Sequence, residues 1–471
     1  MSNPLNSLLR TPPPDGPHYR WGYVTSVSPT LQVVLDTETD PIKRPSALVP
    51  LVPGDRVFVL MESLRATVLG RVPGDPGDPG DPTEVTEHVT NMADYASLQE
   101  AVNAAPSGGV VWVPEGIHGA GSQTTINKPL TITGPGTLLT TNSNAVLYIT
   151  SNNVVVRGIT ISGPGTGGTR VDTSKLIHVE GSPSSRLEGI IIDGCTVIGA
   201  AHSAIYVEHV TNARVVNNYV RDSLYGGIMA FTWIGGVIAN NIVENIVQKP
   251  PTVNTYGIAL SDSLNTSAAR SRNVAIVGNV VRDVPDWEGI DVHGAFNVSI
   301  VGNTVTGCRD GIVCVSGNES RIYSPEQVVI VGNVVNALGM SARAGIRLRG
   351  ASTSQKGSGT ISGNHVVGSF SVGEYDIDYG QLEPSRSSVD VTQGGSVLIG
   401  AVAPSSFSNV NVTFPRPYLN TPHVTANSDS ARLYVAVRNV TTTGFNLEAY
   451  NSTTANSGTT TRLVWAAVPS R

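Results

Sequence analysis

Between residues 218 and 364 the apolar and polar positions fall into a repeated phrase, Asn-x-Val. The copies are Asn218-Tyr219-Val220, Asn241-Ile242-Val243, Asn279-Val280-Val281, Asn303-Thr304-Val305, Asn333-Val334-Val335 and Asn364-His365-Val366, at steps of 23, 38, 24, 30 and 31 residues. A second phrase, a small residue followed by Ile, runs in step with it: Ala204-Ile205, Gly227-Ile228, Gly257-Ile258, Gly289-Ile290, Gly311-Ile312 and Gly345-Ile346. Two phrases in step at an irregular period of about 20–40 residues predict a solenoid, whose turns bury apolar side chains only against their neighbours. The repeated Asn is expected to be structural. Stacked amides at a tight turn can bond to the copies above and below, and Asn tolerates a positive φ. Earlier turns fit the same register. Asn153 to Ile159 aligns with Asn273 to Asn279, and Cys195 stands where later turns carry Asn.

The Gly-Ile phrase also sets which side chains face out. In a strand, neighbours alternate sides, so if Ile290 and Val292 point inward, Asp291 and His293 point outward. Stacking the turns about 4.8 Å apart gives three outward columns. The first is Ser203, Gly226, Tyr256, Glu288, Asp310 and Ala344. The second is Tyr206, Met229, Ala259, Asp291, Val313 and Arg347. The third is Glu208, Phe231, Ser261, His293, Val315 and Arg349.

Polar chemistry gathers in the middle turns. Glu288 and Asp310 are expected as stacked neighbours, with Asp291 and His293 on the same strand and Asp262, Asp283, Asp286 and Trp287 in adjoining loops. Aromatic rings precede them, so Tyr206, Tyr225, Trp233, Tyr256, Trp287 and His293, with Arg347 and Arg349, are the candidate glycan-binding residues. Apolar sugar faces stack on rings and carboxylates accept from hydroxyls. Glu288, Asp310 and Asp291 are the candidate catalytic residues. Carboxyl groups about 5 Å apart suit a retaining glycosidase and about 6.5–9.5 Å an inverting one. A like-charged pair also raises one pKa, as a general acid requires. The competing reading of the same residues is a solvated solenoid face, and Arg347 and Arg349 could instead pair with acidic neighbours. No His-x-His or Cys-x-x-Cys occurs and no calcium-dependent β-elimination site stands out, so no metal and no cofactor are expected, and a lyase less than a hydrolase.

The flanks differ from the solenoid. DYASLQEAVNAA (94–105) predicts a helix with Leu98, Ala101, Val102 and Ala105 on one face, Asp94 as N-cap and Pro106 as terminator. Val110 to Gly116 then reads as a strand. Before it, residues 1–19 are Pro-rich, and short strands are expected at Gly22 to Val27, Leu31 to Asp36, Ala47 to Val52, Asp55 to Leu60 and Ala66 to Val72. Residues 73–82 read PGDPGDPGDP. Three collagen-like triplets are too few for an independent triple helix, which leaves a stiff linker or a junction where three chains meet. The last 80 or so residues are rich in Ser, Thr and Asn, with strands expected at Val410 to Phe414, Pro422 to Ala426, Leu433 to Val440, Phe445 to Tyr450 and Arg462 to Val468.

At 471 residues the chain exceeds one ordinary core. Charged residues make up 14%, Gly accounts for 50 residues and the net charge is −6, which suits many short strands and argues against a basic nucleic-acid-binding face. No apolar run is long enough to span a bilayer and no secretory signal is legible near Met1. Three cysteines, Cys195, Cys308 and Cys314, cannot make a disulfide framework. Cys308 and Cys314 could pair, but buried free thiols are the favoured expectation.

Four resemblances add to this reading. The helix, the Gly108-Gly109 turn and Val111-Trp112-Val113-Pro114 with Gly116 resemble the entry of the pectate-lyase-like right-handed parallel β-helices, where the helix covers the open end of the first coil. The short strands of residues 20–72, joined by turns such as Pro53-Gly54-Asp55, resemble the small OB-like barrels of phage baseplate and minor tail proteins. Phe414-Pro415-Arg416-Pro417-Tyr418, Pro422 with Val424, Val440-Thr441 with Gly444-Phe445, and Val464-Trp465-Ala466-Ala467 resemble the H-type lectin-like β-sandwich. The order of parts resembles a phage tail spike or tail fibre. The resemblance implies an all-β chain with a docking barrel (1–72), a neck (73–90), a capped β-helix (91–384) and a lectin-like tip (385–471). It further implies a homotrimeric virion protein that touches other tail or baseplate proteins and a host surface polysaccharide, with no nucleic acid and no membrane insertion. A polysaccharide hydrolase or lyase with accessory end domains and a non-catalytic tail spacer are the alternatives.

Overall fold

The computed structural model describes residues 89–469, except 143, 250–253, 263–268, 318–321, 391–392, 416 and 458–459, together with six strands between residues 18 and 72. The chain divides into two compact units, Met1–Thr86 and Glu87–Arg471. In the first, one six-stranded sheet runs in the order Ile42–Lys43, Gln32–Leu35, His18–Ser26, Arg56–Glu62, Arg65–Val72 and Ser46–Ala47. Its pairs are antiparallel apart from Ser46–Ala47 against Thr67–Val68. Of the strand expected at Ala47 to Val52, only Ala47 lies in a strand, and the remainder lies outside the described residues, as does the Gly-Asp-Pro stretch.

The second unit is a right-handed parallel β-helix carrying an antiparallel sandwich. One face of the solenoid is a 13-stranded sheet from Val89–Asn91 to Ser388–Asp390, and an 18-stranded sheet supplies the other two. The Asn-x-Val phrase lies on one of those two and the Gly-Ile phrase on the other. In two consecutive turns a single strand, Val280–His293 and then Thr304–Val315, bridges both. The last rung, Ser388–Asp390, stacks on Thr360–Ser362, so the solenoid continues past the boundary expected at 384.

The inward residues behave as the alternation requires. Ile205, Ile228, Ile258, Ile290, Ile312 and Ile346 are all fully buried in one continuous apolar core. The register places Tyr256 beside Glu288, Glu288 beside Asp310 and Asp310 beside Ala344. It likewise aligns Ala259, Asp291, Val313 and Arg347. The three cysteines are free and buried.

The asparagines form a continuous ladder. From Asn218 to Asn333, each Nδ2 donates to the Oδ1 of the next copy at 2.9 Å. Each backbone N–H donates to that same oxygen, and a second Nδ2 bond runs to a backbone carbonyl, such as Asn303 to Ile276 at 2.9 Å. The positive φ, however, belongs to the residue before each copy: Asn217 (58°), Asn240 (56°), Gly278 (65°), Gly302 (64°), Gly332 (66°) and Gly363 (61°). The left-handed residue makes the corner, and the following Asn is thereby turned inward, where its amide can stack.

The glycine of the Gly-Ile phrase answers a close approach between turns. A Cβ on Gly257 would stand 2.4 Å from Val281 Cγ1 and 2.5 Å from the Gly289 carbonyl oxygen. The Gly257→Ala chain is therefore expected to lose about 1–3 kcal/mol through overpacking, read as a lowered midpoint in thermal or denaturant unfolding. An unchanged midpoint would show that the turns can separate freely there.

The cap differs in detail from expectation. The α-helix is Leu98–Ala104, and its N-cap is Ser97, not Asp94, which sits in a preceding 3₁₀ turn. Ser97 Oγ accepts from Glu100 N–H at 3.2 Å and the Glu100 carboxylate accepts from Ala96 N–H at 3.3 Å, a pairing close to a capping box. Leu98, Ala101, Val102 and Ala105 are buried against the first turns, as the spacing predicts.

In the sandwich, one sheet orders Gln393–Gly400, Thr460–Val468 and His423–Ser428. The other orders Phe407–Thr413, Gly444–Asn451 and Leu433–Arg438. Between them Phe414, Phe445 and Trp465 pack edge to face or tilted at 5.2–5.8 Å. Tyr418 is buried, and its hydroxyl accepts from Gln393 N–H and donates to the Ala467 carbonyl.

Candidate functional site

The outward columns of the middle turns line a groove of about 640 Å³ on the Gly-Ile face. Its floor is Tyr206, Met229, Ala259 and Asp291 alongside Glu208, Phe231, Ser261 and His293. Its walls include Arg170, Asp172, Lys175, His202, Tyr225, Tyr256 and Asp262.

The aromatic part is an apolar cluster outside the solenoid core. Met229, Tyr256 and Ala259 are buried, with Tyr206, Tyr225, Phe231 and Trp287 packed on them. Tyr206 stacks on Phe231 at 5.1 Å and Tyr225 meets Tyr256 edge-on at 5.5 Å. His178 stands between Tyr148 and Tyr206 one turn earlier. Burial and the nearby Lys175 push His178 down to about 4. Burial and Arg170 push His202 down to about 3, so both imidazoles are neutral at physiological pH.

At the other end of the floor, Glu288, Asp291 and His293 bring one donor atom each within 4.8 Å of one another. Glu288 is 3% exposed and Asp291 1%. Burial, reinforced by the charges of Asp291 and Asp310 and by a hydrogen bond to Asp291, holds the Glu288 carboxyl well above the usual carboxylate range. The Glu288 carboxyl therefore holds its proton to a higher pH than an exposed carboxyl would. His293 Nε2 lies 3.1 Å from Asp291 Oδ1. Burial lowers the His293 pKa, but Asp291 and Asp262 more than offset this and raise it. Among the described residues these three are also the group whose donors come close enough to be considered together for a metal ion. His293 and Asp291 stand at ion-pair distance beside the buried Glu288 carboxyl, a compact group of two carboxyls and an imidazole suited to proton transfer.

The structure brings together Asp291, Glu288, His293, Tyr206, Tyr225 and Tyr256 and separates the other candidates from them. Asp310 is fully buried, and Arg343 binds both of its oxygens through Nε at 3.0 and 2.9 Å, with Nη2 at 2.7 Å from Oδ2. It is the buried half of an ion pair and not an available acid. Trp233 is fully buried in the solenoid core, its indole N–H donating to the Gly235 carbonyl, so it cannot meet a glycan. The left-handed Thr232 preceding it turns the ring inward at the start of a new face. Arg347 and Arg349 both bind Asp376, at 2.9 and 2.6 Å, which realises the pairing alternative. Trp287 packs beside the groove with the Arg309 guanidinium 4.5 Å from its ring centre. Sequence reasoning missed Arg170, Asp172, Lys175 and His202. The columns do extend one turn back, aligning Lys175 with Ser203, His178 with Tyr206 and Glu180 with Glu208, but that turn has no Gly before Ile177 to announce it.

Residues 144–324 match the family model described as the right handed beta helix region. No curated protein matches the chain. Among solved structures, the chain is similar to the Dettilon tailspike protein at 12% identity, covering 81% of this chain and 94% of that one, with a TM-score of 0.39. It is similar to the tailspike protein of Pseudomonas phage LKA1 at 12% identity, over 96% and 77% of the two chains, with a TM-score of 0.38. A polygalacturonase from Erwinia carotovora matches at 12% identity over 68% and 98%, with a TM-score of 0.41.

Proposed function

We propose that the chain is a tail-spike or tail-fibre protein of a phage virion, whose β-helix groove binds a host surface glycan and whose Asp291–Glu288 pair hydrolyses it. The observation that carries this reading is the groove floor. Aromatic rings for stacking sugar faces run directly into the neighbouring buried carboxyls of Asp291 and Glu288. In this reading Asp291, which lines the groove, delivers a proton to the glycosidic oxygen and recovers it from Glu288 behind. Asp262, on the groove wall and close enough to His293 to raise its pKa, takes a proton from the attacking water. The first unit serves as the docking end, residues 73–88 as the neck and the C-terminal sandwich as a lectin-like tip. The assembly is a homotrimer in the virion tail, bound to other tail proteins through the first unit.

Purified protein incubated with envelope polysaccharide of susceptible cells should bind it and release new reducing ends. Phe231→Ala, which removes a half-buried ring from the floor, should weaken binding by about 1–3 kcal/mol, some five- to a hundredfold. Binding without product would leave a receptor-binding spike and remove the hydrolase. Neither binding nor product across such polysaccharides would leave the non-catalytic spacer. Light scattering should give a mass near three times the 49.2 kDa chain, and a monomer mass would refute the trimer.

A further inference from the structure

We infer that the groove selects a sugar chain free of carboxylates, and excludes polyuronates. The inference rests on the reading that this groove binds a glycan, and it names the class of glycan. The lining carries four acidic side chains, Asp172, Glu208, Asp262 and Asp291, of which Asp291 serves as the proton donor, against two permanent cations, Arg170 and Lys175. Both cations already lie against groove side chains. Arg170 Nε binds Asp172 Oδ1 at 2.7 Å while its guanidinium lies 4.3 Å from the Tyr225 ring centre. Lys175 Nζ sits 3.7 Å above the Tyr206 ring and is drawn to Glu208, Glu180 and Asp172. The remaining basic groups are also committed. His202 bonds Ser203 Oγ, and His293 is paired with Asp291.

Arginines of the following turns are also engaged, Arg343 with Asp310, Arg347 and Arg349 with Asp376, and Arg309 with the Trp287 ring and the Asp286 carbonyl. Residues 250–253 and 263–268, in the same stretch of chain, contain no charged side chain. A uronate entering this groove would leave water and meet, in a partly desolvated site, a lining whose acidic side chains outnumber its permanent cations. A neutral hexose or N-acetylhexosamine offers hydroxyl and amide donors to the same carboxylates and apolar faces to Tyr206, Tyr225 and Phe231.

The test is an array of neutral and uronate-containing oligosaccharides probed with the labelled full chain at low and high salt. The strongest signals should come from carboxyl-free hexose and N-acetylhexosamine chains, by about tenfold or more over galacturonate and guluronate chains, with little dependence on salt. Phe231→Ala should weaken them by about five- to a hundredfold, locating the binding in the groove. A chain carrying both Glu208→Gln and Asp262→Asn, which keeps the side-chain shapes, should narrow the gap by raising the uronate signals. If uronate chains lead the ranking and their signal falls in Phe231→Ala, the selectivity inference is overturned while groove binding stands. If no signal responds to Phe231→Ala, groove binding itself fails, and the inference falls with it.

Discussion

Asp291→Asn is expected to lower reducing-end release by about 10²-fold or more while leaving the glycan bound. Removing a positioned proton donor costs roughly 10²–10⁴ in rate, whereas the stacking surface of Tyr206, Tyr225 and Phe231 is untouched. Glu288→Gln should produce a loss of similar order, because an amide cannot return the proton to Asp291. Asp310→Asn should behave differently. It leaves the part-exposed Arg343 guanidinium facing a neutral amide, so it should lower stability by about 1–3 kcal/mol, and by removing a charge that raises the Glu288 pKa it should move the alkaline limb to lower pH, with a smaller loss of rate than Asp291→Asn. Equal losses of rate in Asp310→Asn and Asp291→Asn at full stability would sink the assignment. The pH dependence has a definite sign. Glu288 has a folded-state pKa above its unfolded value, so the folded chain binds the extra proton between the two. Its stabilising contribution is present below the ordinary carboxylate pKa, near 4.3, and is lost as pH rises through the raised folded value. His293, also raised, acts in the same direction at higher pH. Activity should fall along the same alkaline limb, and in Glu288→Gln the stability profile should flatten.

Asn303→Ala should be among the most destabilising single changes in the solenoid. Asn303 is 1% exposed, and its amide makes two donations, to the Ile276 carbonyl and to Asn333 Oδ1, while its Oδ1 accepts from the Asn279 backbone N–H and from Asn279 Nδ2. Truncation strands the Asn279 N–H and Nδ2 and the Ile276 carbonyl away from water. At about 1–3 kcal/mol for each orphaned group, partly relieved by relaxation, the loss should reach roughly 3–5 kcal/mol. Asn303→Asp should be no better, since a carboxylate lacks the two donors and buries a charge. Unfolding rates in denaturant provide the measurement, because a large multidomain chain often unfolds irreversibly. A shift comparable to that of an exposed control such as Asn142→Ala, whose amide donates to the Gly121 carbonyl at the surface, would show that the ladder contributes little.

Much of this molecule was legible in one dimension because a solenoid is built from neighbouring turns. Its contacts repeat at the period of the sequence, so the Asn-x-Val and Gly-Ile phrases are enough to align Tyr256 with Glu288, Asp310 and Ala344, or Ala259 with Asp291 and Arg347. The alternation of a strand then decides which side chains point out. The same patterning placed the covering helix on Leu98, Ala101, Val102 and Ala105, although its first turn and cap depended on Ser97 and Glu100 meeting in space.

What the outward residues become was decided only by the tertiary structure. Direction is local, but accessibility and partnership depend on side chains brought in by other turns and loops. Asp310 and Asp291 are both outward carboxylates on adjacent columns. One is neutralised by Arg343 from the next turn, and the other faces a groove beside His293. Trp233 and Tyr225 both read as aromatic candidates, yet a left-handed corner at Thr232 sends the tryptophan into the core while the tyrosine stays on the wall. Arg170 and Lys175, which set the charge of the groove, come from a turn without the phrase. The sequence by itself determined the register of the coil, since that follows from periodicity. The acid–base group and the groove's charge were decided in three dimensions, because pKa and pairing depend on burial and on distances between turns that periodicity does not encode.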